Sequence, residues 1–174
     1  VGCALFAALT AIGAFLQIPT GTVPITLQFL FTALAGLLLG WKWGAISQLL
    51  YVGIGLLGLP VFTQGGGIGY VLQPSFGFLL GLIPAAAVIG ALTARRTGYL
   101  TVLAAVLVGD LILYAVGVPY MYLILHVYMQ SAKTFPALLA AMLVYVPGDT
   151  LKIVVVTALV PVLRRTLAKA VPNL

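Results

Sequence analysis

Residues Ala137–Leu163 read ALLAAMLVYVPGDTLKIVVVTALVPVL, an apolar run broken by two charges, Asp149 and Lys152. A bilayer hydrocarbon core of about 30 Å takes roughly 20 apolar residues as helix, so the run is long enough to cross it. A charge exposed to lipid inside such a span costs on the order of 3 kcal/mol or more, which makes an intramembrane ionisable residue a functional candidate by default. Three residues apart, the two groups share one helical face, with Asp N-terminal to Lys, the favourable order for an intrahelical pair. They are therefore expected to face a common cavity, and they mark the first place to look for a ligand.

The rest of the chain reads the same way. Hydrophobic residues make up 63% of the 174 and charged residues only 6%, with a mean hydropathy of +1.26; a soluble domain carries about 25% charged residues. Six apolar segments run approximately Val1 to Ile18, Leu27 to Leu39, Ala45 to Leu59, Phe76 to Ala94, Leu100 to Tyr122 and Ala137 to Leu163, the second and third of them short. The expectation is an all-α integral membrane protein, one domain over residues 1–174, with six transmembrane helices and irregular outward loops. The chain begins at Val1, and a signal-peptide reading of its first segment is disfavoured, since that segment has no basic start and no obvious small-residue cleavage site. Cys3, the single cysteine, lacks an internal disulfide partner and reads as a small buried thiol.

Charge placement gives a topology. Lys42, then Arg95 and Arg96, then Arg164, Arg165 and Lys169 fall on the even-numbered connections and the C-terminal end, whereas the odd-numbered connections carry only Lys133. The positive-inside rule then puts both termini in the cytoplasm. The net charge of +6 is topology, and no basic nucleic-acid surface or polybasic lipid-binding cluster is present.

Two outward connections carry loop chemistry. Ile18 to Gln28 contains Pro19, Gly21 and Pro24 with hydroxyls at Thr20, Thr22 and Thr26, and Pro60 to Gly77 contains Gly65-Gly66-Gly67, Gly69 and Pro74. Non-helical backbone survives at membrane depth where it is buried in protein or lines a cavity. The first loop is expected to close over the site, with Thr22 losing accessibility when ligand binds. The glycine run is not a phosphate loop, because no Gly-Lys-Ser/Thr follows it. Counting at about 1.5 Å per residue puts Lys152 roughly 18 Å and Asp149 roughly 22 Å from Arg164, and Asp110 roughly 21 Å from Arg96. Asp110 thus belongs either to a second polar layer with the pair or to a structural bond with Tyr114, one turn on. An intramembrane aspartyl protease would pair Asp110 with Asp149, but such a dyad shares a proton, and Lys152 favours two ionised carboxylates. A proton-coupled small-molecule carrier is the other class considered, without the internal repeat of paired broken helices that would support it. His126, alone near an outer helix end, reads as an interfacial residue and not a metal ligand.

Val23-Pro24-Ile25-Thr26-Leu27-Gln28, Leu39-Gly40, Gly44-Ala45 with Ser47, Tyr51, Gly58-Leu59-Pro60-Val61-Phe62, the glycine run from Gly65, Gln73-Pro74-Ser75-Phe76-Gly77-Phe78-Leu79 and Gly148-Asp149 with Lys152 together resemble, in order and over nearly the whole chain, the biotin-binding S components of energy-coupling-factor (ECF) transporters, the BioY family. Many relatives have Gly-Pro-Thr-Gly-Gly-Tyr where this chain has Gln73 to Phe78, and Asp110 is outside the family pattern. The resemblance implies a six-helix subunit, not an enzyme and without cofactor, that captures biotin from outside; the alternative is an S component for a different vitamin. It implies partners as well: a membrane coupling protein and two cytoplasmic ATPases, consistent with a chain that has no Walker motif. Family S components contact the coupling protein through small residues of the first helix, for which Ala4 and Ala8, or Ala7 and Ala11, are suited.

Biotin presents a ureido ring with two N–H donors and a carbonyl, a thioether ring and a valerate carboxylate. Asp149 can accept from the ureido N–H, Lys152 can donate to its carbonyl, and Gln73 can complete the recognition. Tyr51, Tyr70 and Phe78 are candidates for the apolar lining, and Thr26 and Gln28 for loop contacts. The carboxylate meeting Lys152 directly is the other orientation, and residue types alone leave the two open.

Overall fold

The computed structural model describes residues 1–19, 23–95 and 98–170, with side chains in the last helix described to residue 163. Thr22, Arg96, Arg164, Arg165 and Lys169, which carried expectations above, lie outside the described residues or side chains. Six helices are described: α1 (Gly2–Phe15), α2 (Gln28–Leu56), α3 (Phe76–Leu92), α4 (Tyr99–Leu123), α5 (Phe135–Met142) and α6 (Val146–Ala170). A π turn, Ile124–Tyr128, extends α4, and 3₁₀ turns occupy Ile68–Leu72 and Leu143–Tyr145. Neighbours in sequence pack as neighbours in space from α1 to α4, and α6 lies against α2 and α4.

The longest helix is not one rod. Gly40 within α2 has φ 80° and ψ 179°, a backbone conformation that only glycine adopts without strain, and the chain reverses there. Beyond it Thr32 bonds Gln48 and Gln28 bonds Tyr51, pairs of contacts that only two antiparallel arms can make. The arms approach so closely that a Cβ on Gly44 would lie 2.9 Å from the Gly36 Cα; small residues at helix crossings in membranes permit this. Among the described residues, three segments, Gln28–Leu56, Tyr99–Tyr128 and Phe135–Leu163, are long and apolar enough to cross a membrane by length and composition, with Gly2–Phe15 and Phe76–Leu92 as shorter apolar helices. The reversal at Gly40 divides the first of these into the two short segments expected on either side of residues 39–45.

Two local features add to the expected spans and loops. The run from Ala137 is not a single helix: α5 ends at Met142, a 3₁₀ turn follows, and α6 starts afresh at Val146. Pro147 is the reason, since proline lacks the N–H that an uninterrupted helix requires but fits the first turn of a new one. The loop after α1 is also not wholly irregular. Gln17–Ile18 (β1) pairs antiparallel with Ile25–Thr26 (β2), and the Leu27 N–H donates to the Gly13 carbonyl at 3.1 Å, so the loop's two stems are fixed to each other and to α1.

Apolar side chains face both ways, as lipid solvation permits. Leu5, Ile12 and Phe15 of α1, Leu111 of α4, and Leu151, Val154 and Val162 of α6 are all exposed. Inside, one apolar cluster joins α1, α2, α3, α4 and α6, and a second gathers Val23 of the loop with Val118, Met121 and Leu125 and with Leu138 and Met142 of α5. The candidate site lies between them.

Candidate ligand site

Asp149 occupies the first turn of α6, where the helix dipole favours a negative charge. One turn later the Lys152 Nζ donates to Asp149 Oδ1 at 2.7 Å, both residues being more than nine-tenths buried. From α4 the Tyr114 hydroxyl donates to Asp149 Oδ2. Each carboxylate oxygen is thus anchored and keeps lone-pair capacity for a further donor. Lys152 makes this one hydrogen bond among the described residues, so two ammonium N–H groups remain to give. Pair and tyrosine line a cavity with Thr26, Gln28, Thr63, Tyr70, Ser75 and Phe78, and with apolar surface from Phe29, Leu79, Leu82, Leu113 and Met142.

The hairpin side of the cavity is held by a directed chain of hydrogen bonds. Thr26 Oγ1 donates to Gln28 Oε1 at 2.9 Å, Gln28 Nε2 to the Tyr51 hydroxyl at 2.8 Å, and that hydroxyl to the Val61 carbonyl at 3.0 Å. Deeper, the Gln48 amide accepts from Thr32 at 2.9 Å and donates to Thr10 of α1 at 3.3 Å. A fully buried polar network of this kind, with its partners supplied, fixes one geometry. Over the cavity the Tyr145 hydroxyl donates to the Val23 carbonyl, which ties the start of α6 to the loop.

Most of the residues expected at the site meet here, and some do not. Asp149, Lys152, Thr26, Gln28, Tyr70 and Phe78 all line the cavity. Tyr51 does not: 1% exposed, it stands behind Gln28 and orients it. Gln73 is exposed and outside the cavity wall; its backbone N–H closes the 3₁₀ turn on the Tyr70 carbonyl, and Ser75, two residues on, reaches the cavity instead. Asp110 lines no part of it, although it is close enough to Asp149 and Lys152 for their charges to act on it. The Tyr114 bond expected for Asp110 goes to Asp149 on the neighbouring helix, and Asp110 Oδ1 is buried without a hydrogen-bond partner among the described residues. Among the described residues no hydrogen bond joins the Asp110 and Asp149 carboxylates. His126 stacks on Tyr122, ring centroids 5.3 Å apart. Of the alternative small-residue faces on α1, Ala4 and Ala8 are exposed while Ala7 is buried.

Sequence reading missed Tyr114 as a member of the site, along with Tyr145, Thr63, Ser75 and Met142. Tyr114 carried a signal, a polar tip inside an apolar span, but its partner sits on another helix and no spacing rule reaches it. Tyr114→Phe is expected to lower stability by about 1 to 3 kcal/mol, since it leaves a buried carboxylate oxygen one donor short. Thermal unfolding in detergent measures this, and an unchanged midpoint would remove the bond from the account.

Known proteins share both sequence and shape with this chain. It is 56% identical over 134 residues to a probable biotin transporter BioY of Lysinibacillus sphaericus, a match covering 76% of this chain and 68% of the relative. It is 41% identical to the biotin transporter BioY of Rhodobacter capsulatus, with 97% of this chain and 92% of the relative covered. Its fold matches the crystal structure of an S-component for biotin from an ECF-type ABC transporter with a TM-score of 0.82 at 31% identity, over 94% of this chain and 88% of that one. With the BioY family model matching residues 1–169 as well, the chain belongs to the BioY family.

Proposed function

We infer that this chain is the substrate-capturing S subunit of an ECF-type biotin importer. The observation that carries the reading at the level of chemistry is the buried Asp149–Lys152 pair, with unused ammonium donors, set in a largely apolar cavity. The pair is neutral as a whole. It suits the neutral ureido ring, whose N–H groups donate to Asp149 and whose carbonyl accepts from Lys152, whereas a carboxylate there would leave a net negative charge buried in the site. The thioether ring packs on Phe78 and Tyr70, and the valerate carboxylate points toward the loop, where Thr26 and Gln28 provide polar groups. Asp110 stays outside the wall and is not assigned a contact with the ligand. Isothermal titration of the purified protein with biotin is expected to give one tight site; no heat and no co-purified biotin would overturn the reading.

Import needs energy that this membrane-embedded chain does not supply. The proposed partners are a membrane coupling protein and two cytoplasmic ATPases, with six spans and both termini cytoplasmic, as the placement of Lys42, Arg95 and Arg96 favours. The exposed Ala4/Ala8 face of α1 is the proposed contact, because two small residues one turn apart allow close helix approach. Ala8→Phe is expected to keep biotin affinity within about twofold while reducing co-purification with the coupling complex about tenfold, a difference of roughly 1.4 kcal/mol. Full assembly by Ala8→Phe would move the contact elsewhere.

A further inference from the structure

On the reading that the cavity takes biotin, we propose that the groove between the end of α4 and α5 is an outer vestibule in which the Lys133 ammonium first receives the ligand's carboxylate. The groove is lined by Met121, Leu138, Met142 and Tyr145 with Lys133 and Ala141 at its sides. Met142 and Tyr145 also line the main cavity, so the two spaces meet across these two side chains. Met121 and Leu138 are almost fully buried and give an apolar floor for a fused ring system, while Lys133 is exposed.

Charge singles out this groove. The connections 16–27, 57–75 and 129–134 hold no Asp, Glu or Arg, and Lys133 is their one lysine. Its field is cancelled by no neighbouring carboxylate in those connections. A single uncompensated cation at the mouth of a low-dielectric groove raises the local concentration of an anion and its rate of association, over a range of about 8 Å at physiological salt. Passage inward then needs only side-chain movement at Met142, an unbranched and adaptable residue, and at Tyr145, whose hydroxyl bond to the Val23 carbonyl couples the partition to the loop.

Association and dissociation rates of biotin and of the uncharged biotinamide, measured on the full chain in nanodiscs of zwitterionic lipid, test this. Lys133→Gln is expected to slow biotin association about three- to tenfold with dissociation within about twofold, to leave biotinamide association unchanged, and to lose its effect at high salt. Ala141→Trp, which fills the groove, is expected to slow association and dissociation together. Unchanged biotin association in Lys133→Gln, an equal loss for biotinamide, or unaltered rates in Ala141→Trp would each overturn the vestibule alone. So would a Lys133 effect that appears only when anionic lipid is added, which would assign the ammonium to a lipid headgroup. A wild-type protein that binds no biotin would overturn the functional reading together with the vestibule.

Discussion

Lys152→Ala is expected to weaken biotin binding about 10- to 100-fold, the range given by loss of a hydrogen bond from a charged donor, about 1.5 to 3 kcal/mol. The same change is expected to destabilise the protein, because Asp149 keeps only its Tyr114 partner; removing one member of a buried pair costs about 3 to 5 kcal/mol. The two effects separate in Asp149→Asn/Lys152→Met. With both charges gone the interior is neutral again, and stability is expected to return most of the way toward wild type while affinity stays low. Calorimetry with biotin and thermal unfolding of the same preparations give both numbers. A folded Lys152→Ala protein with wild-type affinity would take the pair out of the binding site.

Gly44→Val is expected to be strongly destabilising. A Cβ at Gly44 meets backbone on the facing arm, 2.9 Å from the Gly36 Cα, 3.1 Å from its nitrogen and 3.2 Å from the Ala35 carbonyl carbon. Backbone cannot rotate aside as a side chain can, so the arms must separate. Separation would break the Thr32–Gln48 and Gln28–Tyr51 bonds and loosen the Gln28 wall of the cavity. Overpacking alone costs about 1 to 3 kcal/mol, and each broken buried bond adds about 1 kcal/mol or more. The control is Gly53→Ala in the same helix, where a Cβ meets nothing within 4 Å; it is expected to be neutral or slightly stabilising, since alanine is the better helix former. Equal unfolding midpoints for Gly44→Val and wild type would mean that the hairpin arms do not pack as closely as the structure places them.

Composition and hydropathy were enough to read a helical membrane protein, because the bilayer demands the same apolar character from every spanning residue whatever it packs against. Asp149 and Lys152 were legible for the same reason, as charges that lipid would not accept. The end of one apolar segment at Leu39 and the start of the next at Ala45 marked a break that the structure makes at Gly40, while Pro147, which restarts the helix beneath Asp149, was present in the run but masked by its uniform hydropathy. Gln73 and Tyr51 carried suitable chemistry, and the structure turned the first outward and set the second behind Gln28. Tyr114 reaches Asp149 across 35 positions and Tyr145 reaches Val23 across 122. Hydropathy and helical period act locally along the chain, so the sequence alone marked a helical membrane protein and the charges that need shelter. Which side chain shelters them depends on how helices distant in sequence cross, and that is decided only when glycine contacts such as Gly36–Gly44 set the spacing of the bundle.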